Sequence, residues 1–261
     1  MSLRIRVGAT ALAIACFGAL VGCGTPRVDS EAAPNPPAVV LPTPAANDFV
    51  STVMRTKGLN MANLAMFVTT TTTDGISHLS GSGSGAVGQG YGRIEWIQDD
   101  GSRFTEVSNG KGLFVQSGGP TDRWTHYADK RATPTSYLVD ALRGLGTAMS
   151  VVQGGTEQLG GVTATRYVGR IPADADSLSM LALPAEQISG LSDAWRGQWI
   201  DVTVWVDGGG RIIRVDRALE IPDTPDGPVS ATTSTRLEDF GQAIDLEPPP
   251  TESVTEASTS T

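Results

Sequence analysis

The sequence predicts an α+β fold in which a β-rich chain carries three inserted helices. Short strand-like stretches recur between turn signals, and amphipathic helical patterns interrupt them at intervals. No βαβ alternation appears, which disfavours a doubly wound parallel sheet. Composition agrees: among 261 residues there are 31 Gly and 16 Pro, while aromatics are 6%. That mix favours many short elements joined by turns over a helical bundle. Hydrophobic residues at 39% and charged residues at 18% support a packed core.

Arg4 and Arg6 precede Val7 to Leu20, an apolar run without a charge. The run is shorter than the roughly 20 residues of a membrane helix and has the form of a secretory h-region. It ends in Leu20-Val21-Gly22-Cys23, which resembles the lipobox of bacterial lipoproteins. In that family the Cys becomes the first mature residue and carries a thioether-linked diacylglycerol. The resemblance implies a signal peptide over 1–22, acylation at Cys23, and a chain lipid-anchored at the extracytoplasmic face of the cell membrane. Two or more acyl chains on one residue hold a protein stably. Cys16 leaves with the signal, so no thiol remains for a disulfide or for catalysis. Residues 23–47 contain Pro26, Pro34, Pro36, Pro37, Pro42 and Pro44 and read as a Pro-rich, extended stalk behind the lipidated Cys. Pro248-Pro249-Pro250 opens a Thr/Ser/Glu tail, 248–261, that reads as disordered. The folded domain is then 48–247.

Within that domain, Phe49, Val50, Val53 and Met54 keep helical spacing after Asn47-Asp48, an N-cap signal. Asn60 to Thr73 turns to β-formers. Strands follow at Tyr91 to Gln98, Arg103 to Val107, Leu113 to Gln116 and Arg123 to Tyr127. Asp99-Asp100-Gly101, Asn109-Gly110 and Gly118-Gly119-Pro120 separate them as turns. A second helix is expected where Tyr137, Leu138, Ala141, Leu142, Leu145, Ala148 and Met149 form one stripe. Strands at Val151 to Leu159 and Val162 to Ile171 meet at Gly160-Gly161. A third helix is expected after Pro184, with Ile188, Leu191, Trp195 and Trp199 on one side. Then Ile200 to Asp207 alternates with period two, turns at Gly208-Gly209-Gly210, and returns through Arg211 to Asp216 as a hairpin. Val229 to Phe240 gives a last strand.

The chemistry-bearing residues are few. A net charge of −9 does not suit the nucleic-acid backbone. Two His residues, His78 and His126, have no second ligand at metal spacing. Gly83-Ser84-Gly85-Ala86-Val87-Gly88 matches G-x-G-x-x-G in form, but a strand rather than a helix follows it, so it reads as a flexible Gly/Ser loop. The wider Ser/Gly run does not make a nucleophile elbow either, because the centre of the would-be G-x-S-x-G is Gly83 where Ser is needed. Asp174 and Asp176 lack the further oxygen ligands and the glycine of a calcium loop. Of Trp96, Trp124, Trp195, Trp199 and Trp205, some are core residues and others suit the wall of an apolar cavity. No catalytic residue, metal or cofactor is expected.

Four stretches carry a wider resemblance. They are Trp124-Thr125-His126-Tyr127, then Gly161 to Tyr167, then Val202 to Asp207 with Gly210 to Arg214, and lastly Asp239-Phe240-Gly241 before the closing prolines. With the lipobox and stalk, their order resembles the LppX/LprG-type lipoproteins of mycobacteria, relatives of LolA-type lipid carriers. The resemblance implies a strongly curved antiparallel β-sheet, a half-barrel, with helices closing its concave side. It further implies an apolar cavity for the acyl chains of lipids or glycolipids. The expected cavity residues are Leu138, Ala141, Leu142 and Leu145, then Ile188, Leu191 and Trp195, and from the sheet Val202, Val204, Ile213 and Val215. An envelope lipid carrier acting as a monomer, with an envelope transporter as partner, is the reading that follows. The alternative is a sensor or scaffold of the same fold with a filled core.

Overall fold

Among the described residues the chain forms one α-helix and twelve strands. The computed structural model describes residues 44–57, 59, 61–72, 75–86, 91–109, 111–118, 123–128, 142–174, 178, 194–222, 224, 227–241 and 247–257, all within the unit Ala38–Thr261. Helix α1 (Pro44–Lys57) comes first. Proline suits a first helical turn, where an N–H has no intrahelical partner to lose. The helix therefore starts ahead of Asn47-Asp48, the expected cap, and takes in the last residues assigned to the stalk.

The strands form two antiparallel meanders. The first runs β1 (Met61–Thr72), β2 (Gly75–Ala86), β3 (Tyr91–Gln98), β4 (Arg103–Asn109), β5 (Gly112–Ser117) and β6 (Trp124–Tyr127). The second runs β7 (Met149–Leu159), β8 (Val162–Pro172), β9 (Trp199–Asp207), β10 (Ile212–Ile221) and β11 (Val229–Glu238). Pairing of β1 with β11, from Asn63 opposite Glu238 to Thr71 opposite Ser230, joins the two into one sheet. A final short strand, β12 (Val254–Glu256), adds to β6 in parallel. The sheet order is β12-β6-β5-β4-β3-β2-β1-β11-β10-β9-β8-β7.

This corrects the expected architecture. The sheet is an open run of twelve strands with β12 and β7 at its edges, neither closed nor strongly curled, rather than a half-barrel roofed by helices. Among the described residues, helix amounts to α1, the helical Leu178, and 3-10 turns at Leu145–Thr147 and Thr251–Ser253. The predicted helical stripe ending at Met149 does not hold at its end. Met149 begins β7 and is 55% exposed, because the chain has already turned into the sheet edge. Ala194–Gly197 is a turn, and Trp199 begins β9 on its exposed side. Tyr137 and most of the third expected helix lie outside the described residues.

The Gly/Ser run is also not a loop. As far as Ala86 it is the body of β2, paired with β1 and β3 on both sides, while Val87 and Gly88 lie outside the described residues. Its inward positions are Gly81, Gly83 and Gly85, and its outward ones are serines. Likewise the tail is not wholly disordered, since Val254–Glu256 join the sheet. Hairpin geometry follows the turn signals more closely. Gly160 and Gly161 both take positive φ (58° and 85°), as a two-residue primed turn between right-twisted strands requires. At the next hairpin, Asp207 Oδ1 accepts from the backbone N–H groups of Gly209 and Arg211, each at 2.9 Å, and closes the turn.

Packing divides into three apolar clusters. The largest gathers Phe49 and Val53 of α1, Leu142, Leu145 and Leu178, and the inward residues of β8 to β11. A second joins Met66, Val68, Leu79, Ile94, Trp96 and Leu113 on β1, β2, β3 and β5. The third lies near the β6 edge, where Val107, Phe114 and Trp124 meet Val254 of β12.

Candidate functional site

Period-two alternation sends every second residue of a strand to the same face, and cross-strand register then builds rows across the sheet. One row reads Tyr167, Val204, Val215, Thr235, Met66, Gly81, Trp96, Phe104 from β8 to β4. The next reads Gly169, Val202, Arg217, Thr233, Val68, Leu79. Together they make one continuous face that is apolar except at its centre. Helix α1 packs on this face toward β7 and β10. Thr56 Oγ1, fully buried, accepts from the Ile212 N–H at 3.0 Å and ties the helix to the start of β10.

The polar exceptions are buried. Arg217 and Thr233 are each 3% exposed and Thr235 is 0% exposed. Arg217 Nη2 donates to the Arg143 carbonyl at 3.4 Å. The hydroxyls of Thr233 and Thr235 have no hydrogen-bond partner, and neither do the Ser108 hydroxyl on β4 and the Trp195 indole N–H. In a filled native interior the large majority of such groups are bonded. On β3, by contrast, the buried Trp96 indole N–H donates to Glu106 Oε2 at 3.2 Å.

Of the residues expected to line a cavity, Val202, Val204 and Val215 lie side by side on this face, fully buried. Leu142 and Leu145 are also fully buried, packed with α1 in the largest cluster, and Trp195 is half-buried against it. Ile213 is not with them. A register shift between Ile212 and Arg214 makes Ile213 the extra residue of a bulge. Ile212 takes the core position, and Ile213 lines a groove on the opposite face. Leu138, Ala141, Ile188 and Leu191 lie outside the described residues, as does Cys23. The sequence reading missed Arg217, Thr233 and Thr235. Their signal was legible: Val215, Arg217 and Leu219 share one phase of β10, so an arginine stands in the inward register of an apolar strand.

The opposite face is built from ion pairs. Arg214 binds the Asp216 carboxylate through Nε and Nη2 at 2.8 and 2.7 Å and lies over the Trp205 ring at 4.7 Å. Trp205 donates to Glu157 at 3.0 Å, and Arg170 pairs with Asp201 at 2.7 Å. Among the described residues, two shallow grooves cross this face. One, of about 480 Å³, lies between the hairpin ends at Val162, Arg211 and Phe240. The other, of about 290 Å³, lies beside Phe67 and Asp216. Neither is the wall of hydrocarbon that an acyl chain needs. Among the described residues no three His, Cys, Asp or Glu side chains gather as a metal would require.

No family model and no curated protein matches the chain. Solved structures do. The chain is similar to LprF from Mycobacterium bovis, with a TM-score of 0.47 at 14% identity over 78% of this chain and 96% of that one. It is similar to the lipoprotein LppX from Mycobacterium tuberculosis, with a TM-score of 0.42 at 16% identity over 77% and 99%. A DUF1329 family protein from Desulfovibrio piger follows at 0.29 and 9% identity over 77% and 95%.

Proposed function

We propose that the protein is an envelope lipoprotein that binds acyl lipids or glycolipids against the apolar face of its sheet and carries rather than transforms them. The observation that supports this most is the set of unpartnered buried hydroxyls on that face. A filled core would leave each uncompensated at a cost of about 1–3 kcal/mol, whereas a ligand space gives them something to meet. Hydrocarbon burial supplies the driving force, at about 0.8 kcal/mol per CH₂ group. An acylated Cys23 would hold the carrier at the outer face of the cell membrane, and an envelope transporter is the partner such a carrier would serve.

A filled-core scaffold is the second reading. It is favoured by the full burial of Leu142 and Leu145 beside Phe49 and Val53, which leaves that end of the face tightly packed. Native mass spectrometry of the gently purified full chain separates the two. Co-purified masses that fit acyl lipids support the carrier. A bare protein that also takes up no added fatty acid refutes it.

A further inference from the structure

The β6 edge of the sheet is finished by a strand of a different kind. Every other ladder among the described residues is antiparallel, whereas β12 joins β6 in parallel and over three residues. Parallel pairing is the slightly weaker of the two per residue. Residues in register share a face, so Glu256 extends the row Val107, Phe114, His126, and Val254 stands beside Trp124. The receiving side is built and buried. Val107, Phe114 and Trp124 are at most 8% exposed, and Val254 packs on them. His126 is held independently of the tail, by the Lys111 carbonyl at 3.1 Å and by the Phe114 ring at 4.4 Å between centroids. Arg123 Nη2 reaches the main-chain carbonyls of Glu252 and Val254 at 3.4 and 3.5 Å. The arriving side is loose. None of residues 247–257 is buried, and the Glu256 side chain is 73% exposed against 16% for His126.

We infer that the β6 edge is a strand-addition site for an extended segment of a partner protein, one with a branched aliphatic residue followed two positions on by a carboxylate. Val254–Glu256 is the intramolecular occupant that such a segment displaces. Added strands take affinity from main-chain hydrogen bonds and specificity from pockets that meet alternate side chains. Both are present. The Ala257 N–H donates to the His126 carbonyl at 2.9 Å, beyond the last residue of β12. The Val107, Phe114 and Trp124 cluster takes one side chain, and His126 takes the next on that face, with its Nδ1 2.9 Å from the Glu256 carboxylate. A segment that merely blunts an edge needs no matched carboxylate and no guanidinium on its carbonyls, since a charge or a proline on the edge strand does that alone. This surface lies on the face opposite the one proposed for acyl chains, so the two readings stand apart.

The test uses the unacylated full chain and a fluorescein-labelled peptide with the sequence of residues 250–259, followed by anisotropy. The tethered tail competes at an effective concentration of about millimolar, so the parent chain is expected to bind the peptide weakly. Val254→Asp with Glu256→Ala takes the tail out of competition and leaves the receiving surface intact. Because the tail buries no residue, this variant is expected to fold as the parent does and to bind the peptide at least tenfold tighter. Peptides carrying Asp for the valine or Gln for the glutamate are expected to bind the released chain at least tenfold more weakly. Adding His126→Phe to the released chain keeps an aromatic ring against Phe114 and is expected to make the Glu and Gln peptides bind alike. A released chain that binds no better than the parent overturns the site. So does binding indifferent to the valine and glutamate, or a glutamate preference that survives His126→Phe. Dimers of the parent chain in light scattering, abolished by Val254→Asp, would put a second copy's tail on the edge and overturn a separate partner.

Discussion

Gly81 stands opposite Trp96 across the β2–β3 ladder, and the indole occupies the space a side chain would need. A Cβ on Gly81 would approach Cζ3 of Trp96 to 2.6 Å, closer than such atoms ever come. Trp96 is fully buried and held by Glu106, so it has little room to yield. Gly81→Ala is therefore expected to destabilise the protein by about 1–3 kcal/mol, as overpacking does. Ser82→Ala, pointing to solvent on the same strand, is expected to stay within about 0.5 kcal/mol. Urea unfolding followed by tryptophan fluorescence measures both; equal effects would refute the packing argument.

The tail strand is pinned by His126. Its Nδ1 meets the Glu256 carboxylate at 2.9 Å, its Nε2 meets the Lys111 carbonyl at 3.1 Å, and its ring stacks on Phe114. Both partners only accept, so the doubly protonated ring satisfies both. Partial burial pulls the His126 pKa down, but Glu256 and the Lys111 carbonyl outweigh it, and the net pKa lies above the ordinary imidazole value. A raised folded pKa means the contribution is complete below the unfolded pKa and is lost as pH rises through the folded one. Amide exchange at Val254–Glu256, corrected for intrinsic rates, should thus quicken as pH rises from the ordinary imidazole value of about 6.5 through the higher folded value. Glu256→Gln should flatten that dependence. Exchange that slows with rising pH would contradict the linkage.

Leu145 carries no exposed surface and packs in the cluster that holds α1 on the sheet. Leu145→Ala is expected to lower stability by about 2–5 kcal/mol through lost burial and a residual cavity. Denaturant titration decides it. A loss below about 1 kcal/mol would mean that the side chain faces open space, and would move Leu145 to the ligand wall.

Cys23→Ala tests the anchor. If the thioether-linked lipid is what attaches the chain, the variant should partition into the soluble fraction at high salt while the parent sediments with membranes. The acidic chain would be repelled by anionic headgroups rather than drawn onto them. Sedimentation of the variant with membranes in high salt would rule the lipid anchor out.

Much of the sheet was legible because its strands alternate. Ile200 to Asp207 shows its buried face in the sequence, and β3 is bounded by turn residues on one side and the Gly/Ser run on the other. β2 was not, because glycine and serine have no apolar phase to read and rank low as strand formers. Its strand state is imposed from both sides by β1 and β3, and the need for glycine at position 81 shows only once Trp96 is known to lie over it. The bulge at Ile213 hid in the same way: simple alternation carried back from Val215 puts Ile213 inward and Ile212 outward, the reverse of what is found. The polar centre was readable in phase on β10, but that Thr233 and Thr235 lie beside it on the same face shows only when β11 is placed next to β10. That placement is a long-range fact no local pattern contains.

The seam between the two meanders also sets a clock. Asn63 on β1 bonds Asp239, just past β11, across 176 positions of sequence. At a synthesis rate of about 5–20 residues per second, β1 emerges roughly 10–35 s before its partner exists. Through that interval its edge offers unpaired N–H and C=O groups beside Met66, Phe67 and Val68 to any neighbouring chain. Non-local pairing of this kind is slow to form even once both strands are made. The segment that most needs shielding during biogenesis is therefore β1, and aggregation of truncated chains should begin there.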